Sequence, residues 1–310
     1  MENMYKTAFL FPGQGSQKIG MGKDFYDNYS TFRSFFDHAS EILDIDLKEL
    51  CFSDNDRLNK TAFTQPAILS VSLGVMHLLN ENGVYPSISS GYSLGEYASL
   101  VASGIVSEDD ALRIIKIRGM LMDRESGEGK GGMAGIIGLS NAEVEDVIKN
   151  MENIGIANYN YDGQVTISGS IDSVQQAMEL LKQKGARRCV RLAVSGPFHS
   201  PLLKKAGEEL FETALKNTEF HSYSIPYIPN VTGTVLKENE DVRLLLSKQV
   251  YSPVRWSDSM DTLIKSGYNR FIEVGTRHVL SGFLKKRGED IKILSCDSID
   301  EFIECIGDKR

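Results

Sequence analysis

The chain has 310 residues, 41% of them hydrophobic and 25% charged, which suits one large domain or two unequal ones with a sizeable core. Its 34 basic and 42 acidic side chains give a net charge of −8, and without a long basic run this argues against nucleic acid as the main partner. The four cysteines, Cys51, Cys189, Cys296 and Cys305, form no CxxC pair and fit no metal spacing, so reduced thiols are expected.

The start, MENMYKTAFLFPGQG, holds one lysine and a short apolar run that stops at Pro12. That is too short for a signal segment or a membrane span. No later segment is expected to reach about eighteen apolar residues. A cytoplasmic protein is the expectation.

A β-prone run over 5–11 ends in the loop Pro12-Gly13-Gln14-Gly15-Ser16-Gln17. Gly13-x-Gly15 lacks the third glycine of a dinucleotide loop, and no Lys-Ser pair completes a phosphate loop. The better reading is a turn that presents Gln14 to a site. Helical pattern covers 23–45 with a break at Ser30 or Thr31. Another helix opens at Gln65-Pro66 and closes at Gly83. A short buried strand is predicted over 86–91, then helices over 94–104 and 107–123.

The texture changes at Ser126-Gly127-Glu128-Gly129-Lys130-Gly131-Gly132, a glycine-rich joint. Beyond it the pattern predicts a strand (133–139), a helix (141–151), two strands (155–158, 165–168), a helix (171–184) and a strand (186–194). That β-α-β-β-α-β order matches the split βαβ, or ferredoxin-like, unit. It is expected as a small α+β domain, 127–195, inserted into a large α/β domain made of 1–126 and 196–310. The chain returns at Ser195. A long helix over 201–217 is predicted, then alternation of strand (224–230, 269–274, 291–295) with helix (242–250, 257–266, 278–287, 299–306). Such alternation implies a mostly parallel sheet.

Gly91-Tyr92-Ser93-Leu94-Gly95 lies between a predicted strand and a predicted helix. G-x-S-x-G in that setting reads as a nucleophile elbow, with the Leu94 N–H placed to bind an oxyanion. A plain strand-to-helix turn is the competing reading of the bare pentapeptide. A serine nucleophile needs a base. His77 sits in an apolar helix and reads as packing, His38 as surface, and His221 lies in a polar approach to a strand. His278 is near a strand end and stays open. His199, in a loop after Gly196-Pro197, stands modestly ahead.

Five stretches then occur in one order: Phe11-Pro12-Gly13-Gln14-Gly15-Ser16-Gln17, Gly91-Tyr92-Ser93-Leu94-Gly95-Glu96, Ile117-Arg118-Gly119, Gly196-Pro197-Phe198-His199-Ser200, and Gln249-x-x-x-Pro253-Val254-x-Trp256. Through them essentially the whole chain resembles the malonyl-CoA:acyl carrier protein transacylases of fatty acid synthesis. The resemblance implies an α/β-hydrolase-like large domain, Ser93 as the acyl-accepting nucleophile and His199 as its general base. It implies a backbone carbonyl at Gln249 that orients the histidine, and oxyanion donors at the N–H groups of Gln14 and Leu94. It implies Arg118 as the partner of the malonate carboxylate. Malonyl-CoA and acyl carrier protein are the implied partners, with no metal or bound cofactor, no membrane and a monomer as the default. Tyr92 departs from the histidine that many members carry there, and altered local packing is expected. Phe198 suits a small malonyl pocket.

Three basic clusters are candidates for docking an acidic carrier: Lys204-Lys205, Arg187-Arg188-Arg191 and Lys285-Lys286-Arg287. The alternatives are an acyltransferase or acyl hydrolase serving a polyketide synthase, and a non-catalytic carrier-binding module. A serine esterase would want an acidic partner between Ser93 and His199, and Asp162, a loop candidate, falls in the inserted segment.

Overall fold

The computed structural model describes residues 5–308 except 128, 195 and 289. Glu128 of the glycine-rich joint and Ser195 of the return therefore lie outside the described residues. In chain order the strands are β1 (Thr7–Phe11), β2 (Ile88–Gly91), β3 (Gly132–Ile137), β4 (Ile154–Tyr161), β5 (Gln164–Gly169), β6 (Arg188–Arg191), β7 (Tyr227–Ile228), β8 (Arg270–Val274) and β9 (Lys292–Cys296). They form two sheets. One is five-stranded, in the order β7-β2-β1-β8-β9, and every pairing in it is parallel. The other is four-stranded, in the order β4-β5-β3-β6, and wholly antiparallel.

Strand periodicity explains the burial of the parallel sheet. Phe9 and Phe11 of β1 pack into the largest core cluster with Ile272 and Val274 of β8. Ala8 and Leu10 point the other way, to Ile88, Ile228, Trp256 and Phe271. Both faces are covered, so these strands read as continuous apolar runs rather than alternation. The antiparallel sheet keeps its own core, in which Ala134, Ile136, Val165 and Ile167 meet Val174, Ala177 and Leu181 of the helix Ile171–Lys184.

The two sheets are linked at neighbouring points. A Cβ on Gly196 would lie 2.2 Å from the Ser126 side chain, and one on Gly131 2.6 Å from Pro197, so the outgoing and returning chains run side by side. β4 also reaches the large sheet's periphery: the Tyr159 N–H donates to Val254 O and the Val254 N–H to Ala157 O, at 3.0 and 2.8 Å.

Several elements differ from the sequence expectation. The helix expected to open at Gln65 spans Thr61–Glu81, with Pro66 inside it. Pro66 lacks only the N–H that would have reached Ala62, and Thr64 Oγ donates to the Leu58 and Lys60 carbonyls beside the first turn. This helix is long and apolar enough to cross a membrane, contrary to the expectation that no segment would be. Here it is the central core helix, buried from Thr64 through Met76. The expected helix over 201–217 is a 3₁₀ turn (Pro201–Leu203), a helix (Lys204–Thr213) and a second 3₁₀ turn (Leu215–Asn217). The strand expected over 224–230 pairs only at Tyr227–Ile228, because prolines at 226 and 229 bracket it. The helix Glu108–Glu125 begins where its cap predicts: the Ser107 hydroxyl accepts from the Asp110 N–H.

Candidate active site

β2 ends at Gly91, the helix Gly95–Ala102 starts four residues on, and Ser93 lies between them with φ +53°. That left-handed conformation costs a non-glycine residue roughly 1–2 kcal/mol, so the surroundings must hold it. Two glycines and an asparagine do so. A Cβ on Gly91 would sit 1.9 Å from Gly95 O, and one on Gly95 would sit 2.2 Å from Phe11 O. Only glycine lets β2, the helix start and the end of β1 approach this closely. Asn230 then clamps the turn: its Oδ1 accepts from the Ser93 N–H at 2.7 Å and its Nδ2 donates to Gly91 O at 2.6 Å.

His199 is buried and also left-handed, φ +57°. Its Nδ1 faces two backbone carbonyls, Gln249 O at 2.8 Å and Ser252 O at 3.2 Å. Carbonyls only accept, so Nδ1 carries the proton and Nε2 is left as the acceptor. Nε2 faces Ser93 Oγ at 2.8 Å. Burial, reinforced by the positive charge of Arg118, pushes the imidazole down to about 4. The ring is therefore neutral near pH 7, with its basic nitrogen on the serine.

Arg118, in the middle of Glu108–Glu125, is fully buried. Its Nη2 donates to Ser93 Oγ at 3.1 Å and to Gln249 Oε1 at 2.8 Å, and its Nη1 to Gln65 Oε1 at 2.6 Å. Its Nε has no hydrogen-bond partner among the described residues. A buried cation with neutral acceptors and a spare donor is arranged to receive an anion.

Gln14 lies in the loop after β1, its Nε2 donating to Thr61 Oγ at 3.2 Å. Among the described residues the N–H groups of Gln14 and Leu94 donate no backbone or side-chain hydrogen bond, as oxyanion donors require. Gly13 brings that loop against the elbow, since a Cβ there would be 2.6 Å from Tyr92 O. The cavity above Ser93 measures about 250 Å³ and lies between the two sheets. Gln14, Ser93, His199, Phe198 and Leu280 line one side, and Met133, Asn158, Asn160 and Thr166 the other.

An acyl transferase domain model matches residues 8–300. The malonyl CoA-acyl carrier protein transacylase of Bacillus subtilis is 41% identical over 297 residues, 94% of this chain and 93% of that protein. The chain belongs to the malonyl CoA-acyl carrier protein transacylase family. The Streptococcus pneumoniae member superposes with a TM-score of 0.93 at 38% identity, covering 97% of this chain and 99% of that one. A malonyl-transacylase solved with its type II polyketide acyl-carrier protein gives 0.93 at 34% identity, covering 97% and 99%.

Of the sequence-predicted site residues of this family member, Gln14, Ser93 and His199 line the cavity, Arg118 and Gln249 hydrogen-bond Ser93 from the buried side, and Leu94 follows Ser93 in the turn. The other histidines lie elsewhere. His38 and His278 pair at the surface with Asp109 and Glu301, His221 is exposed beside Glu219, and His77 packs its ring 4.9 Å from that of Phe35. Tyr92, in place of the expected histidine, packs against Trp256 and Phe283 and donates to Asn160 Oδ1 at 2.7 Å, tying the elbow to β4. Among the described residues no cluster of three His, Cys, Asp or Glu could hold a metal.

Four site residues were given no role from sequence: Gln65, Glu96, Tyr227 and Asn230. In the sequence Gln65 marks only a helix start. Glu96 carried a usable signal, since it is the one charge in the otherwise uncharged helix GEYASLVA. Asn230 and Tyr227 carried none, because they reach the elbow from 130 or more positions away.

Proposed function

We propose that the protein transfers a malonyl group from malonyl-CoA to the phosphopantetheine thiol of acyl carrier protein through an ester on Ser93, in fatty acid biosynthesis. The observation that carries this is Ser93 Oγ, shared between a neutral base 2.8 Å away and a buried guanidinium 3.1 Å away. The Ser93 oxygen attacks the thioester carbonyl while His199 Nε2 takes its proton. The tetrahedral oxyanion meets the N–H groups of Gln14 and Leu94. On collapse the C–S bond breaks and His199 returns the proton to the CoA sulfur. In the second half-reaction His199 deprotonates the carrier thiol, the thiolate attacks the ester, and the proton goes back to Ser93 Oγ. A backbone carbonyl at Gln249 serves in place of a hydrolase aspartate and holds the Nδ1–H tautomer throughout. Arg118 receives the free malonate carboxylate. Intact-protein mass spectrometry after brief mixing with malonyl-CoA, followed by addition of holo carrier protein, tests the scheme. A malonyl adduct that then moves to the carrier is expected. CoA release with no adduct points to hydrolysis, and no CoA release at all to a non-catalytic binding module.

The acid limb follows from His199. Its lowered pKa means that the basic form persists to lower pH than for an ordinary histidine. The rate of Ser93 acylation should stay level down to about pH 5 and fall with a midpoint near 4. Single-turnover acylation measured from pH 3.5 to 8 checks this, and a midpoint between 6 and 7 contradicts it.

We also propose the division into a large α/β-hydrolase-like domain, 1–126 with 196–310, and a ferredoxin-like insert, 127–195. The adjacent crossing points at Ser126–Gly196 and Gly131–Pro197 and the separate core of the antiparallel sheet support it. A cytoplasmic monomer fits a site built wholly from one chain.

For the carrier, the arginine cluster is the best-supported surface. Arg187, Arg188 and Arg191 are exposed on or beside the edge strand β6 and make no ion pair among the described residues. Just beyond β6 the chain passes Leu192 and Val194, which line the cavity. Lys204 pairs with Glu208, and Arg287 with Asp261. Reversing charge at Arg188 and Arg191 is expected to weaken use of carrier protein about tenfold or more while acylation by malonyl-CoA persists. Equal effects on both half-reactions count against electrostatic docking there. The likeness to a transacylase solved with a polyketide carrier keeps that carrier class as a second reading, and competition between the two carriers decides it.

A further inference from the structure

Beneath the elbow lies a carboxylate for which the transfer scheme has no use. Glu96 is buried, in the first turn of the helix that starts at Gly95. Its Oε1 accepts from the Tyr227 hydroxyl at 2.6 Å. Its Oε2 accepts from Gln249 Nε2 at 2.7 Å and from the Asn230 N–H at 3.2 Å. Burial raises its pKa, while the Tyr227, Gln249 and Asn230 hydrogen bonds and the Arg118 charge oppose the rise. Two donors on Oε2 make that oxygen the acceptor in either protonation state.

The partner amide, Gln249, is oriented by everything around it. Its Oε1 meets Arg118 Nη2, which can only donate. Its Nε2 meets Ser93 O at 2.8 Å and Glu96 Oε2, which here only accept. Turned over, the amide would set N–H against N–H at Arg118 and oxygen against oxygen at Glu96. The guanidinium would then lose one of the two amide acceptors, Gln65 Oε1 and Gln249 Oε1, that hold it with Nη2 aimed at Ser93 Oγ.

We propose that Glu96 is a positioning residue for acyl-group selection: by pinning the Gln249 amide, it aims Arg118 at the position of the malonyl carboxylate. This rests on the transacylase reading of the site. Glu96 touches neither substrate nor reacting atoms and acts on Arg118 through Gln249, with a second bond to the Asn230 N–H. An acyl group without a carboxylate uses Arg118 only through its contact with Ser93 Oγ, so its loading depends less on the pin.

The test compares single-turnover acylation by malonyl-CoA and acetyl-CoA in the full-length parent, E96A, E96Q and Q249A. E96A is expected to lower the malonyl-to-acetyl ratio of kcat/KM at least tenfold, mainly through KM for malonyl-CoA. Q249A keeps the backbone carbonyl on His199 and removes only the amide, so it should lower the ratio likewise. E96Q should stay within about threefold of the parent. Its amide oxygen can take the Gln249 and Asn230 donors, and its NH₂ can donate to the Tyr227 oxygen. Should E96A fail to fold, the Q249A ratio alone decides. A folded E96A or a Q249A with the parental ratio overturns the inference. Equal losses for both donors also overturn it, as does an E96Q as defective as E96A. A parent without malonyl preference overturns the transacylase reading and this inference with it. A preferring parent with unchanged ratios in the variants overturns only the inference.

Discussion

Ser93→Ala is expected to yield no acyl adduct with any CoA donor and to lower transfer by about 10⁴-fold or more. The loss is one of chemistry, because the clamp that shapes the elbow uses backbone atoms of residue 93. The Ser93 N–H still bonds Asn230 Oδ1, and the Ser93 carbonyl still accepts from Gln249 Nε2. An alanine at φ +53° is strained about as much as the serine, so the melting temperature should move by only a few degrees. No thiol is poised to substitute. Cys51 is buried and pushed up to about 12, burial also pushes Cys296 well up, Cys305 is buried, and burial raises Cys189. A thiol needs the opposite shift to react at neutral pH. Intact mass after mixing with malonyl-CoA is the measurement, and an undiminished adduct in Ser93→Ala would place the nucleophile elsewhere.

The fold and half of the site could be read in the sequence because their signals are local. The glycines around Ser93 mark a turn too tight for any side chain, and Ser107 with its following acids marks a helix start. The βαββαβ order survives errors of a few residues at each boundary. The elements misread were those decided by tertiary contacts. Helix Thr61–Glu81 runs through Pro66 because its surroundings bury it nearly all round. The segment 201–217 breaks at Ala214, whose φ −128° and ψ −62° leave the helical region although its residues are good helix formers. Position alone favours His199 only modestly over His278. The deciding facts, Nδ1 on two carbonyls and Nε2 on Ser93, connect residues 50 to 106 positions apart. Of the supporting layer, Glu96 alone stands out locally, as the one charge of its helix; Tyr227, Asn230 and the Gln249 side chain are each ordinary in their own segment, and only the fold brings them to the elbow.

Arg118→Ala should separate acyl selection from catalysis. The guanidinium is fully buried and hydrogen-bonds Gln65, Gln249 and Ser93. Hydrogen bonds to a buried charge contribute about 1.5–3 kcal/mol each. Losing the bond that the spare Nε–H makes to the malonate carboxylate therefore predicts a fall of roughly 10–10² in kcat/KM for malonyl-CoA. Acetyl-CoA has no carboxylate to lose, and its acylation should fall far less. One contact serves both donors: Nη2 donates to Ser93 Oγ and so steadies the developing alkoxide. Its removal sets a common loss beneath the selective one. A second effect runs the other way, because the Arg118 charge helps to hold the His199 pKa down. Without it the base becomes stronger and the acid limb moves up from about 4 toward the ordinary histidine value. Arg118→Lys is not a rescue, since an ammonium cannot span Gln65 and Gln249 while presenting a fork to a planar anion. The measurements are malonyl and acetyl adduct formation on the parent and both variants, with the pH dependence of each. Equal losses for the two donors, with the acid limb unmoved, would show Arg118 to be a buried structural cation and remove the basis for malonyl recognition at this site.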